Sequence, residues 1–217
     1  MIERSDAVHD APCGYRAHAV LDAAMCESIR ETNLAFLALV AASAAAQPGT
    51  GAFGLPPEVA AGVGTLDARA RRAVAGCPYT LFNLRFEDAP FWDGVAQAAH
   101  LPGSASLSDE ATFARTAVFL AWHLAHHAAL GAALVLGMTD AVQAAWRRLP
   151  LSAIDRAATV ALPHLAARFP GHPRFWPRLV AVDEPEGRAA EAVRQLGLQL
   201  LAAEGIVACA PVAPGLR

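Results

Sequence analysis

A chain of 217 residues with 55% apolar and 17% charged residues is large enough for one sizeable domain or two small ones. A net charge of −3 and a pI near 6.2 exclude the basic footprint of a protein that grips nucleic acid or anionic membrane by itself. Its cysteines, Cys13, Cys26, Cys77 and Cys209, form no Cys-X-X-Cys pair, which excludes a zinc ribbon or redox motif and fits a reducing cytoplasm.

Residues 1–14 read as a ragged leader, and mixed-charge Met1–Asp6, with no apolar stretch behind it, is not a signal peptide. Helical periodicity runs from about Ala17 to Ala46 through Leu21, Ile29, Leu34, Leu37 and Val40, and Gln47-Pro48-Gly49 breaks it. Pro57 is a good first-turn residue for a helix over Pro57–Val63, and Asp67 caps a helix over Ala68–Ala75 that stops at Gly76. Tyr79–Phe86 is an extended connector, followed by a helix over Ala89–Ala99. Leu101–Ser106 carries linker residues. Ser108 starts a second long helix, to about Ala128, with Asp109 and Glu110 favourably placed against the helix dipole. Shorter helices follow over Ala132–Leu136, Thr139–Arg148, Ser152–Ala161 (Ser152 capping) and His172–Val180, and an amphipathic helix over Pro185–Gly205. With no long stretch of β-periodicity, the reading is all-α.

The uncharged runs Asn33–Pro57 and Thr116–Thr139 are long enough to span a bilayer. The first is broken by Pro and Gly and the second carries three histidines, so both are read as buried helices and no membrane is expected.

Sliding the chain by 83 positions lays Phe36-Leu37-Ala38 on Phe119-Leu120-Ala121, Gly54 on Gly137, Val59 on Val142 and Arg85-Phe86 on Arg168-Phe169. One further residue of slip matches Phe91-Trp92 to Phe175-Trp176. Alanine abundance inflates such a match but does not generate Gly, Arg-Phe and Phe-Trp landmarks in order. The reading is a duplicated unit, over 15–100 and 108–182, with a linker over 101–107 and a C-terminal helix and tail over 183–217. Half of this length would make a marginal domain alone, so the two copies are expected to share one core.

Four groups of residues are candidates for function. Ala133…Gly137…Val142 resembles a helix-turn-helix corner, which would place Asp140, Gln143, Arg147 and Arg148 on a recognition helix; an ordinary helical corner is the alternative. His123, His126 and His127 fall at i, i+3 and i+4, a spacing that can chelate a metal, although no Glu lies between them as a metalloprotease requires. At a shift of 83 their counterparts are Val40, Ser43 and Ala44, so the fold itself needs no metal there. Arg69, Arg71 and Arg72 form either a solvated face or a DNA-backbone contact. The repeated Arg85-Phe86 and Arg168-Phe169 pairs are expected to fix the connector, with Arg donating to helix carbonyls, and Trp92 and Trp176 are core or partner anchors. With no nucleophile motif, P-loop or dinucleotide fingerprint, no enzyme and no cofactor are expected.

Ile29–Leu39, then Ala52-Phe53-Gly54-Leu55-Pro56-Pro57-Glu58-Val59-Ala60, then Leu84-Arg85-Phe86-Glu87-Asp88, resembles the FlhD family of flagellar transcriptional activators. That family has an Ile-Arg-Glu-X-Asn-Leu helix, an apolar-Phe-Arg-Leu-Gly corner and an aromatic-Arg-Phe-Asp stretch. The family's Cys before that stretch falls at Phe82, and the Arg of its corner at Gly54 or in a gap. The resemblance implies a small all-α protein that dimerises and binds promoter DNA together with FlhC. A family member is about half this length, so the duplication implies two FlhD-like units fused into a monomeric pseudo-dimer. The expected function is a cytoplasmic, non-enzymatic regulator working through an FlhC-like partner, with DNA reached through the complex or bound weakly by the chain alone. The alternatives are a protein-only adaptor or chaperone in secretion or assembly, and a metal-binding protein or enzyme built on the three histidines.

Overall fold

The computed structural model describes residues 21–98, 108–182 and 187–209, with side chains of the last helix described through Glu204. The leader over 1–14, the linker over 101–107 and the end of the tail lie outside the described residues, as does the stretch Ala17–Val20 expected to open the first helix.

Helix α1 covers Ala23–Ala46 and begins where the Asp22 carboxylate accepts from the Met25 amide at 2.7 Å. Its buried residues, Ile29, Thr32, Asn33, Phe36, Leu37 and Val40, recur at helical spacing and form one stripe. Past Pro48-Gly49 the chain makes a tight corner, with Phe53 and Gly54 both at positive φ (+51° and +81°) and reciprocal backbone bonds between Ala52 and Leu55. Helix α2 (Pro57–Thr65) and helix α3 (Ala68–Ala75) follow, the latter capped by Asp67 and closed at Gly76. Strand β1 is only Phe82–Asn83, and helix α4 covers Ala89–Gln97, capped by Asp88.

Helix α5 (Asp109–His127) starts from the Ser108 cap with Asp109 and Glu110 in its first turn. Helix α6 (Ala129–Leu136) ends on Gly137, whose φ of +71° gives a left-handed cap that an L side chain resists. Thr139 caps helix α7 (Asp140–Arg148). The expected cap at Ser152 is absent. A 3-10 turn over Leu151–Ala153, closed by Ala153 N–H to the Pro150 carbonyl, leads instead into helix α8 (Ile154–Ala161). Strand β2 (Ala166–Ala167), helix α9 (Phe175–Val180) and helix α10 (Arg188–Cys209) complete the chain. The protein is all-α, and β1 and β2 form a minimal antiparallel ladder with Phe82 opposite Ala167 and Asn83 opposite Ala166.

The two halves share one core. Helix α1 packs on α2, α3 and α5, and α5 packs on α6, α7 and α8. Phe36 and Phe82 of the first half meet Phe113 of the second at ring-centroid distances of 5.8 and 4.8 Å, and Trp92 packs on Trp146 at 4.1 Å. Such aromatic pairs contribute beyond their buried area. Helix α10 lies over both halves: Arg194 donates to the Ala73 carbonyl at 3.3 Å, and Leu201 is buried beside Gly137. It approaches so closely that a Cβ on Gly197 would stand 1.9 Å from the Tyr79 hydroxyl.

Among the described residues, α1 alone as a single helix is long and apolar enough to cross a membrane. Its most apolar stripe faces α2, α3 and α5. The α6–α7 pair passes the same test only jointly and turns through 116° at Gly137.

The landmark residues have distinct environments. The Trp92 indole donates to the Arg85 carbonyl at 2.8 Å, and the Trp176 indole to the Arg168 carbonyl at 2.6 Å. These bonds hold the chain where Arg85 and Phe169 take positive φ (+59° and +54°), a conformation that costs about 1–3 kcal/mol unless its surroundings enforce it. Gly54 and Gly137 are both left-handed and precede α2 and α7 by the same spacing. The long helices follow a different offset. Phe36 is fully buried whereas Phe119 is 50% exposed, and a shift of 84 instead carries Phe36, Leu37 and Val40 onto the buried Leu120, Ala121 and Leu124.

The connector after α3 is fixed by one side chain. Asn33 is fully buried; its amide donates to the carbonyls of Ala75 and Tyr79 (3.2 and 2.9 Å) and accepts from the Leu81 N–H (2.9 Å). Replacing Asn33 with Ala leaves three backbone groups unmatched and is expected to cost about 2–4 kcal/mol. Urea unfolding checks this as a lower midpoint at unchanged slope.

Candidate partner-binding face

Helix α5 buries Phe113, Ala114, Ala117, Val118, Ala121 and Leu124 and turns a different set outward. Phe119 is the centre of that outer face. Its ring stacks on Trp122 at 6.3 Å, and the Trp122 indole is held by a 2.8 Å bond to the Leu149 carbonyl. The His126 ring packs on Trp122 at 4.2 Å, and its Nδ1 lies 2.8 Å from the Trp122 carbonyl. A carbonyl only accepts, so Nδ1 is the nitrogen that carries the proton. The result is a rigid aromatic ridge between two clefts. One, of about 480 Å³, lies between α1 and α5 and takes in Met25, Ala35, Phe119 and Leu120. The other, of about 440 Å³, runs from Phe119 to Leu151 past the Arg115–Asp155 ion pair (3.0 Å). Leu151 is 55% exposed, so the ridge continues as an apolar strip.

The three histidines do not converge as a ligand set. His123 pairs with His127 at a ring distance of 4.8 Å, while His126 is engaged with Trp122. Among the described residues no group of three His, Cys, Asp or Glu side chains could hold a metal ion, and of the three histidines only the His123–His127 pair keeps the i, i+4 approach.

The candidate nucleic-acid contacts are dispersed. Arg69 and Arg72 are exposed on α3, but Arg71 is half-buried and donates to the Leu66 carbonyl. Gln143 is buried, donating to the Met138 carbonyl and accepting from Arg147 at 3.0 Å, so it is not available as a base contact. Arg147 also donates to the Ala125 carbonyl near the end of α5, and Arg148 is paired with Asp93. The corner between α6 and α7 is therefore real, yet α7 is a packed helix whose Trp146 lies against Trp92. The pattern at Ala133, Gly137 and Val142 reports the corner and carries no signal of the packing.

Of the two repeated arginines, Arg85 pairs with Asp88 and lies 4.6 Å over the Phe91 ring. Arg168 is fully buried, donates to the Leu136 carbonyl at 2.8 Å and has Glu204 of α10 at 3.9 Å. Burial pulls its pKa down, with Glu204, Glu87 and Tyr79 opposing. Burial likewise pushes the Glu204 carboxyl above the usual range; Arg168 lowers it and Glu87 raises it further. The Cys77 thiol is pushed up to about 11 by burial, so it is an inert core thiol. Sequence reasoning missed both the Phe119 ridge, because Phe119 matches the core residue Phe36, and the Arg168–Glu204 pair, which lies far apart in the chain.

No family model, curated protein or solved structure matches this chain.

A carboxyl with a raised folded-state pKa contributes stability that is fully present below its unfolded pKa and lost as pH rises through the folded value. As pH rises from the ordinary carboxylate range through the raised folded-state value, the wild-type protein is therefore expected to lose stability that a Glu204→Gln variant does not lose. Thermal unfolding across that range checks this, and parallel profiles for the two proteins would contradict it.

Proposed function

We propose that this chain is a cytoplasmic, non-enzymatic, FlhD-like regulator in which two FlhD-like units are fused as a pseudo-dimer, acting through a protein partner on transcription. The observation that carries the fused-unit reading is a reciprocal exchange of helices. Helix α4 of the first unit packs on α7 of the second, and α9 of the second packs on α2 of the first. The pairs α2/α7 and α4/α9 are the ones that the Gly54/Gly137 and Trp92/Trp176 landmarks relate, and the β1–β2 ladder joins the units antiparallel, as an isologous contact requires. The offset between α1 and α5 is one residue greater than between α2 and α7, as expected of copies that have drifted. The aromatic ridge on α5 supplies an exposed surface of the kind that protein partners cover.

One observation favours the second reading, a protein-only adaptor or chaperone. Gln143 is buried, Arg147 donates to the Ala125 carbonyl and Arg148 pairs with Asp93, which weakens α7 as the basic helix a direct DNA reader needs.

Light scattering of the purified chain is expected to give a monomer of 22.6 kDa, and a compact homodimer would count against the fused pseudo-dimer. Salt-dependent binding to promoter DNA is expected only together with an FlhC-like partner. A chain that forms a partner complex with no affinity for DNA at low salt would establish the adaptor reading instead.

A further inference from the structure

The cleft between α1 and α5 has a definite chemistry. Its floor is apolar, formed by Met25, Ala35, Phe119 and Leu120, and Phe119 stands half out of it. Asp22 and Glu31 on α1 make its rim acidic, and among the described residues no lysine or arginine lines it. His123 at the α5 edge is the one basic side chain there. A groove between two helices with an aromatic knob is the shape that accepts the apolar face of a third helix, read as anchors at i, i+3, i+4 and i+7.

The acid rim decides between occupants. In a two-fold pairing the same patch meets itself, and with the axis across the groove a second copy of this chain would bring Asp22 and Glu31 against their own like charges. A helix flanked by lysine or arginine meets them with opposite charge, and complementarity of that kind governs partner choice and encounter rate. We infer that the α1–α5 cleft is the docking groove for a basic amphipathic helix of a partner protein, with Phe119 as its central anchor. This rests on the proposal that the chain acts through a protein partner, and it specifies that partner's chemistry. Trp122, itself held by its bond to the Leu149 carbonyl, stacks beside Phe119 and gives the anchor a fixed neighbour.

The test uses the full chain and two labelled synthetic peptides of the same amphipathic helix, one with lysines flanking the apolar face and one with glutamates in their place. Fluorescence anisotropy is expected to show the lysine peptide binding at least about tenfold more tightly, with the difference shrinking as salt is raised. Phe119→Ala is expected to weaken the lysine peptide by about tenfold or more, and Glu31→Lys to remove most of the charge preference. Both positions are exposed, and urea midpoints matching wild type confirm that the variants fold. Equal affinity for the two peptides, or an indifferent Phe119→Ala, overturns the inference. So does a concentration-dependent dimer that Phe119→Ala abolishes, which would assign the groove to a second copy. Co-purification with an FlhC-like partner that survives Phe119→Ala rejects this groove while leaving the partner reading intact. Selective lysine-peptide binding without any FlhC-like complex does the reverse.

Discussion

The carboxamide of Asn33 organises more of this molecule than any other side chain. It is buried in the middle of α1 and replaces the hydrogen bonds that the connector between α3 and β1 would otherwise make to water. Two carbonyls and one N–H of that connector are satisfied by a single planar group, which fixes Ala75, Tyr79 and Leu81 relative to the helix axis. Phe82 comes next in the chain, and its position against Phe36 and Phe113 follows from that anchoring. From there β1 pairs with β2, and the second half is registered on the first. An amide in the core would be costly without partners; fully bonded, it specifies one arrangement of an otherwise apolar interior.

A second polar device sits on the opposite half. Arg168 is buried beneath α10, and its bond to the Leu136 carbonyl satisfies an end of α6 that the left-handed Gly137 leaves open. The remaining guanidinium nitrogens, Nε and Nη1, have no hydrogen-bond partner, and Glu204 supplies charge from 3.9 Å away. The pair joins a buried guanidinium to a partly exposed carboxylate, and its contribution to stability is limited by the desolvation of Arg168. It makes the docking of α10 conditional on the state of Glu204, while Gly197 against Tyr79 makes the same docking demanding in shape.

Against this committed interior, the outer face of α5 is notable for what it leaves uncovered. Phe119, Trp122, His123 and His126 form an exposed surface with clefts on both sides, while the arginines that sequence spacing assigned to nucleic acid are dispersed, Arg71 and Arg147 donating to backbone carbonyls and Arg148 pairing with Asp93. An aromatic held rigid by its neighbours costs little entropy to bury a second time.

The sequence by itself determined the helices and their ends. Asp67, Ser108 and Thr139 cap where the sequence placed them, Asp22 and Asp88 cap as well although periodicity alone did not mark them, and Gly137 closes α6 in the left-handed conformation that glycine permits, whereas α3 stops at Gly76 with ordinary negative φ. These are local effects, legible because each involves residues within about one turn of one another. Ser152 was misread since a 3-10 turn consumes the position a cap would hold. Tertiary structure alone decided which face of each helix meets which neighbour. It buried Gln143 and Arg168, turned Phe119 out where its sequence match Phe36 lies in the core, set His126 against Trp122 and His123 against His127, and brought Glu204 to Arg168. Burial, charge pairing and exposure depend on contacts between segments distant in the chain, and a one-residue change of register between α1 and α5 is enough to exchange an inside position for an outside one.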